Sequence, residues 1–208
     1  MARYIGPSCR ICRRAGIKLF LKGDRCYTPK CAIEKRNSPP GPRAQRRRRL
    51  SDRGVQLREK QKARYGYGVM EGQFRRIFAE AGRQPGVTGE SLVRLLEFRL
   101  DNIVYRLGFA NSRKQARQLV QHGHLSLNGV KTNIPSCAVK VGDVIGWQDP
   151  SKKTEYYLRA VEEVKGKTVP NWLSLDKETM VGRVLRIPER TEVDTQFDEK
   201  SIVEFYSR

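Results

Sequence analysis

The chain has 208 residues, of which 42 are Lys or Arg and 22 are Asp or Glu, so the formal net charge is +20. A chain of this length can form one or two domains with buried cores. No apolar run approaches the roughly 20 residues that span a bilayer, and the N-terminus lacks the apolar stretch of a secretory signal. We therefore expect a cytoplasmic protein with a polyanionic partner, and no membrane partner.

The basic excess is concentrated at the start of the chain. Residues 1–65 contain 20 basic and four acidic side chains, whereas residues 161–208 contain eight basic and ten acidic ones. We expect the polyanion to be bound mainly by the N-terminal third, with help from the middle of the chain. The nearly neutral C-terminal part is expected to have a different role.

Four of the five cysteines lie within the first 31 residues. They are Cys9, Cys12, Cys26 and Cys31. Two close pairs separated by a loop are the pattern of a tetrahedral zinc site, and Lys18 and Lys22 are expected to lower the pKa of the thiols. The pattern predicts one structural zinc ion; an iron–sulfur cluster, two disulfides or unmetallated thiols remain alternatives. Cys137 stands alone and is interpreted as a small core residue.

The segment 36–50, "RNSPPGPRAQRRRRL", carries no folding signal. Its prolines favour an extended linker. Its consecutive arginines, Arg46, Arg47, Arg48 and Arg49, predict a segment that binds nucleic-acid phosphates.

Residues 51–91 have helical composition. Ser51 or Asp52 is placed to cap a first helix. Apolar residues then recur at helical spacing from Met70 to Ala81, and Gly82 is placed to end that helix.

Residues 92–160 predict a compact α+β module. One helix with buried leucines ends at Gly108, and a second begins at Ser112 with Gln115 completing a capping box. Asn128-Gly129 predicts a hairpin, and Gly142-Asp143 separates two further short strands. The expected module is therefore two helices with a short antiparallel sheet.

Cations cluster where this module would meet a phosphate backbone. Arg113, Lys114 and Arg117 open the capped helix, and Lys131 lies on the hairpin beside His122. No aromatic platform for unpaired bases is visible in the module. The pattern indicates recognition of folded RNA by its shape and backbone.

Five stretches together resemble one family. They are "ARYIGPSCRICRRAG", "LFLKGDRC", "LREKQKAR", "RLDNIVYRLGFANSRKQARQLVQHGHLSLNGVKTNIPS" and "SIVEFYSR". In this order and spacing they are similar to the bacterial family of small-subunit ribosomal protein four, in its zinc-bearing form. The fourth stretch alone is less specific, because that RNA-binding module recurs in several RNA-handling enzymes.

The resemblance implies a structural protein of the small ribosomal subunit. Family members bind the 5′ domain of 16S ribosomal RNA early, nucleate assembly there, and contact ribosomal protein five in a way linked to decoding accuracy. The resemblance also implies a helical domain built from the residues before the module together with the C-terminal tail. We therefore expect three parts: 1–50, a zinc-stapled basic segment and linker; 51–91 with 161–208, a helical domain; and 92–160, the RNA-binding module.

By resemblance, the four N-terminal cysteines match the zinc ligands, and Arg106 joins the cations of the module. The remaining expected RNA-binding residues are Arg3, Arg10, Arg13, Arg14, Arg58, Lys60 and Lys62. The chain departs from the family pattern at 39–45, "PPGPRAQ", and at 62–69, "KARYGYGV", so contacts made by these stretches are expected to differ.

Two other classes of protein compete with this interpretation. Arg99-Leu100-Asp101 resembles the catalytic motif of some pseudouridine synthases that carry the same module, but no domain of catalytic size follows it. A zinc-containing DNA-binding regulator would need a recognition helix after the cysteines, and none is predicted. We expect neither enzymatic chemistry nor a small-molecule substrate.

Overall fold

The computed structural model describes residues 3–42 and 50–207. It divides into two compact units, Met1–Val93 with Asp194–Arg208 and Arg94–Val193. The arginines expected to contact phosphate at positions 46–49 lie outside the described residues. No helix of the described part of the chain combines the length and apolarity needed to cross a membrane.

The described residues form helices in both units. They are α1 (Ser8–Ala15), α2 (Ala32–Lys35), α3 (Asp52–Gly66), α4 (Glu71–Ala81), α5 (Thr88–Glu97), α6 (Leu100–Arg106), α7 (Arg113–Gln121), α8 (Asp149–Lys152), α9 (Glu155–Lys165) and α10 (Glu199–Tyr206), with 3₁₀ turns at Gly23–Cys26 and Arg190–Glu192. Five strands form one antiparallel sheet: β1 (Leu125–Leu127), β2 (Val130–Lys131), β3 (Val144–Trp147), β4 (Leu173–Asp176) and β5 (Val181–Val184), in the order β2-β1-β3-β5-β4. The chain is therefore α+β.

The first unit is built around α3, α4 and α10. Ser51 caps α3, because its hydroxyl accepts a hydrogen bond of 3.2 Å from the Gly54 N–H. Phe78 on α4 stacks on Tyr206 of α10, with 4.5 Å between ring centroids. Gln56 on α3 donates to the Glu204 carboxylate of α10 at 2.9 Å. The end of the chain thus supplies part of the core of the unit that begins with the first residues.

The second unit packs α6, α7 and α9 against the sheet. Its core includes Leu100, Ile103, Leu107, Leu125, Ile145, Trp172 and Met180. The β1–β2 hairpin turns at Asn128 and Gly129, as predicted, with φ of 51° and 81°. At Gly182 on β5, a Cβ would lie 2.4 Å from a methyl carbon of Leu107, so only glycine lets α6 pack this closely on the sheet.

The boundary expected from sequence placed 161–208 in the helical domain, and the structure corrects it. Strand β5 pairs with β3, with Val144 opposite Arg183, so residues 161–193 belong to the second unit. Only residues from Asp194 onward return to the first unit. The physical reason is the sheet, which acquires two of its five strands from this part of the chain.

Two further expectations differ in detail. The helix expected over 92–107 is interrupted after Glu97, because Arg99 forms a bridge with Ala138 and the Phe98 carbonyl accepts a hydrogen bond of 2.9 Å from the Val139 N–H. These pairings also replace the strand expected before Gly142, and only β3 follows that turn as a sheet strand.

Candidate nucleic-acid interface

Two hydrogen bonds between side chains and backbone N–H groups hold the start of helix α7. The Ser112 hydroxyl accepts a hydrogen bond of 3.3 Å from the Gln115 N–H. The Gln115 side chain accepts one of 2.9 Å from the N–H of Asn111, one residue earlier than a capping box would place it. These bonds fix the backbone that carries Arg113 and Lys114.

Arg106 and Arg113 are held by a buried carboxylate. Glu97 is fully buried and accepts two hydrogen bonds from Arg106, at 2.9 and 2.7 Å. Asn102 donates to Glu97 at 2.7 Å and accepts from Arg113, also at 2.7 Å. The Arg113 guanidinium also lies 4.7 Å from the ring centre of Tyr105. Both arginines are half-buried, so they present fixed rather than mobile charge.

Arg117 does not lie on the RNA-facing surface. It is only 4% exposed and donates to the Asp101 carboxylate at 3.0 Å. Asp101 also accepts two hydrogen bonds from Arg99, at 3.1 and 2.8 Å. The expectation that Arg117 contacts RNA is therefore corrected, since a buried ion pair holds it. The same geometry makes Asp101 a structural carboxylate and not a catalytic one.

The hairpin presents exposed cationic side chains next to α7. Lys131 is exposed, and its stem packs over Gly123, where a Cβ would lie 2.5 Å from the Lys131 Cε. His122 is exposed, with its ring centroid 5.9 Å from that of His124. Burial lowers the pKa of His124, and the nearby His122 and Lys131 lower it further. The surface around His122, His124 and Lys131 therefore disfavours further positive charge, and a bound anion would reduce the repulsion among these cationic groups.

The predicted cations of the first unit fall into two groups: those that are exposed, and those held by contacts within the protein. Arg3, Arg10, Arg14 and Arg58 are exposed, whereas Arg13 donates to the Ser38 carbonyl at 2.8 Å. Lys60 is 5% exposed and pairs with Glu71 at 2.8 Å, so the expectation that it binds RNA is corrected. Lys62 pairs with Glu59 at 2.6 Å and is half-buried.

None of the four N-terminal cysteines is in a disulfide, and Cys12 lies close enough to the other three for them to affect its pKa. Burial raises the pKa of Cys12 and of Cys26, and the other thiols of the group raise both further. The expectation of lowered thiol pKa values is thus wrong for these two, since Lys18 lowers the pKa of Cys26 by less than burial raises it. Lys18 is itself hydrogen-bonded to Glu34.

The donor set fits a soft metal ion in its chemistry. Backbone N–H groups hydrogen-bond to two of the sulfurs, from Leu19 to Cys12 and from Lys22 to Cys26, the latter at 3.4 Å. Within residues 3–42 and 50–207, however, no three His, Cys, Asp or Glu side chains converge closely enough to hold a metal ion as they stand.

Glu97 and Asn102 are site residues that the sequence-based interpretation missed. They are 0% and 1% exposed, and their hydrogen bonds orient Arg106 and Arg113. The signal was present, because charged and amide side chains interrupt the apolar pattern between Leu96 and Ile103. Buried charges of this kind must be paired, which predicts a network.

Oriented cations on a capped helix, beside an exposed lysine on a hairpin, are typical of a protein that binds nucleic-acid phosphates, and comparison with known proteins gives the family. Residues 3–97 match the family model of the ribosomal protein S4/S9 N-terminal domain. Residues 98–145 match the model of the S4 domain.

Full-length relatives agree with these matches. The chain is 58% identical over 208 residues to small ribosomal subunit protein uS4 of Heliobacterium modesticaldum, covering the whole of both chains. It is 53% identical to that of Dehalococcoides mccartyi and 54% identical to that of Thermus thermophilus, again over the full length of each. The chain belongs to the bacterial uS4 family of small ribosomal subunit proteins; it is a structural protein and not an enzyme.

Proposed function

We propose that this protein is a structural constituent of the small ribosomal subunit that binds the 5′ domain of 16S ribosomal RNA directly. The observation that carries the proposal is the identity of 58% to a uS4 protein over all 208 residues. The aligned length includes both regions that match the family models. The exposed cations of both units support it, because lysine and arginine side chains neutralise phosphates.

The mechanism follows from the two kinds of cation. Arg106 and Arg113 are preorganised by Glu97 and Asn102, so little side-chain entropy is lost when they contact phosphate. Further contacts, each of which releases counterions from the RNA, come from Lys131 and from four exposed cations of the first unit, namely Arg3, Arg10, Arg14 and Arg58. Affinity should therefore fall steeply as salt rises.

Binding to a 5′-domain fragment of 16S ribosomal RNA in the presence of excess transfer RNA tests this function. The dissociation constant is measured at two salt concentrations. We expect tight binding that survives the competitor and weakens strongly at the higher salt. Binding that the competitor abolishes, or that is nearly independent of salt, would contradict the proposal.

Two finer roles follow from the family resemblance. Early binding at the 5′ domain makes this protein a nucleator of assembly, and contact with ribosomal protein five connects it to decoding accuracy. Reconstitution of the small subunit with this protein omitted tests the first role, with loss of later 5′-domain proteins as the expected result. Cross-linking in assembled subunits would identify the residues of this protein that contact protein five, and mistranslation in cells carrying substitutions at those residues tests the second role.

We also propose that Cys9, Cys12, Cys26 and Cys31 hold one structural zinc ion. The spacing of the two pairs supports this, together with the proximity of the thiols and the N–H donors to Cys12 and Cys26. When bound, zinc supplies a cross-link for a segment too short to build its own core. The ion would orient α1, which carries Arg10, Arg13 and Arg14.

Metal analysis of the purified protein, prepared without added metal, tests this second proposal. We expect one zinc and no iron or acid-labile sulfide for each chain. Chelation should then lower the melting temperature, whereas a variant with Cys137→Ser should keep the zinc. A metal-free protein with unchanged stability and RNA affinity would exclude the proposed site, and bound iron would favour the cluster.

A further inference from the structure

A cleft in the first unit has a chemical character different from that of the module. It lies between α1 and α3, with a volume of about 680 Å³. That volume is in the range that holds one ligand of small-molecule size. We propose that this cleft binds an unpaired nucleotide of the RNA, an inference that rests on the proposed function and adds a second mode of recognition to it.

Cations line both sides of the cleft. Arg10 and Arg14 come from α1, and Arg58 and Lys62 come from α3. None of the described lining residues is Asp or Glu. Arg10, Arg14 and Arg58 are exposed and form no side-chain ion pair or hydrogen bond with any residue that the structure describes. The cleft therefore has uncompensated positive charge, which selects an anionic ligand.

Apart from Gly54 and the polar side chain of Gln61, the rest of the lining is apolar or aromatic, and this favours a ligand with an apolar part over a bare phosphate. Leu19 and Ile11 lie on the α1 side, and Leu57, which is 41% exposed, lies on α3. Tyr4 and Tyr65 add aromatic rings. A ligand that matches this lining has a flat apolar part as well as negative charge. A nucleotide with its base unstacked from an RNA helix has both.

The aromatic part of the cleft is held in place before any ligand binds. The rings of Tyr4 and Tyr65 meet edge to face, with centroids 5.4 Å apart and planes at 73°. The Arg64 guanidinium lies 4.0 Å from the centre of the Tyr65 ring. At Gly6 an added Cβ would lie 2.5 Å from the Tyr4 hydroxyl oxygen, so the absence of a side chain there leaves room for that ring. Preorganised rings lose little entropy on stacking.

Filling the cleft tests the proposal, and α3 offers a matched control. Leu57 lines the cleft, whereas Val55 does not, and the two are 41% and 42% exposed. We expect Leu57→Trp to weaken binding to the 5′-domain fragment about tenfold, the equivalent of about 1.4 kcal/mol, while Val55→Trp binds as the wild type does. Circular dichroism and melting temperature establish that both variants are folded.

The charge of the cleft is tested separately. Arg58→Gln removes a lining cation, and Arg76→Gln removes an exposed cation of α4 that does not line the cleft. We expect Arg58→Gln to reduce the slope of log K against log salt by about 0.9, as for one lost phosphate contact, and Arg76→Gln to leave it unchanged. Equal effects of the two substitutions would mean that only total charge matters, and would overturn the proposal.

Ultraviolet cross-linking of the full-length complex identifies the ligand directly. We expect a nucleotide adduct on the peptide containing Tyr4 or Tyr65, joined to a position that is unpaired in the RNA. If the wild type binds the fragment specifically, yet neither tyrosine cross-links and Leu57→Trp binds normally, the proposed function stands and the cleft proposal fails. If the wild type does not bind the fragment, both fail together. An adduct at a base-paired position would also overturn the proposal.

Discussion

Lys60 of α3 donates a hydrogen bond of 2.8 Å to the Glu71 carboxylate at the start of α4. The Lys60 ammonium also lies 4.5 Å from the centre of the Phe205 ring and 5.6 Å from that of Tyr206, both on α10. One lysine therefore joins three helices of the first unit. Its environment explains why a residue expected to contact RNA is instead a structural residue.

We expect Lys60→Met to lower the free energy of unfolding by about 1–2 kcal/mol, because Glu71 loses its buried partner and two aromatic rings lose a cation. Arg75→Met is the matched control, since Arg75 pairs with the same carboxylate at 3.5 Å but its side chain is 70% exposed. The control should change stability little. Urea denaturation measures both. Similar losses for the two variants would show that burial does not distinguish them.

The Lys60–Glu71 pair should make the free energy of unfolding depend on pH. Burial raises the pKa of Glu71, but the hydrogen bond and charge of Lys60, together with the Tyr206 hydroxyl and Arg64, lower it more, so the pKa lies below its ordinary value of 4.5. A carboxyl with a lowered folded-state pKa stabilises the fold above its unfolded pKa, and the stabilisation disappears as pH falls through the folded pKa. The wild type should therefore exceed Glu71→Gln in stability at pH 7, and the difference should shrink below pH 4.5. Denaturation at several pH values measures this. A difference that stays constant with pH would assign the effect to packing.

Asp101 should be indispensable to the second unit. Asp101→Asn would leave Arg99 and Arg117, 3% and 4% exposed, without their shared anion. We expect a loss of about 3–5 kcal/mol in the free energy of unfolding. Asp149→Asn removes an exposed pair with Lys152 and should leave the melting temperature unchanged. If thermal melts of the two variants match, the buried pairing contributes nothing to stability.

Substitutions at Gly123 and Gly129 distinguish the effect of backbone strain from the effect of side-chain crowding. Both have positive φ, 72° and 81°, but a Cβ at Gly123 would meet the Lys131 side chain, and one at Gly129 would meet nothing within 4 Å. Each alanine substitution should cost about 1 kcal/mol of stability. Only Gly123→Ala should also displace Lys131 and reduce the salt dependence of RNA binding by about one phosphate contact. Titrations at several salt concentrations decide this; equal slopes for both variants would place Lys131 away from the RNA.

Local signals in the sequence predicted the elements whose ends they determine. Ser51 caps α3, Gly82 ends α4, and Asn128-Gly129 forms the hairpin, because each depends on neighbouring residues alone. The break after Glu97 was missed because its cause is a pairing with Ala138, about 40 residues away. No local rule carries that information.

Strands β4 and β5 were missed for a related reason. The turn between them contains neither glycine nor proline, and Met180 adopts the positive φ of 53° in it. Asp176 organises the turn, since its carboxylate accepts a hydrogen bond of 3.0 Å from the Glu178 N–H. For the candidate interface, composition located the cations but could not separate exposed Arg58 from buried Lys60, two residues apart on one helix. That difference arises only when α10 packs against α3.

The return of the last residues to α3 and α4 has a consequence for synthesis. Helix α10 comes after every other helix of the described residues, and without it Phe74, Phe78 and Lys60 lose aromatic partners. Domains usually fold in the order of translation. Here all residues of the second unit precede Asp194, whereas the first unit also needs residues from Asp194 onward. A chain that stops before α10 therefore leaves the rings of Phe74 and Phe78 without their aromatic partner Tyr206, in the unit that carries most of the basic residues.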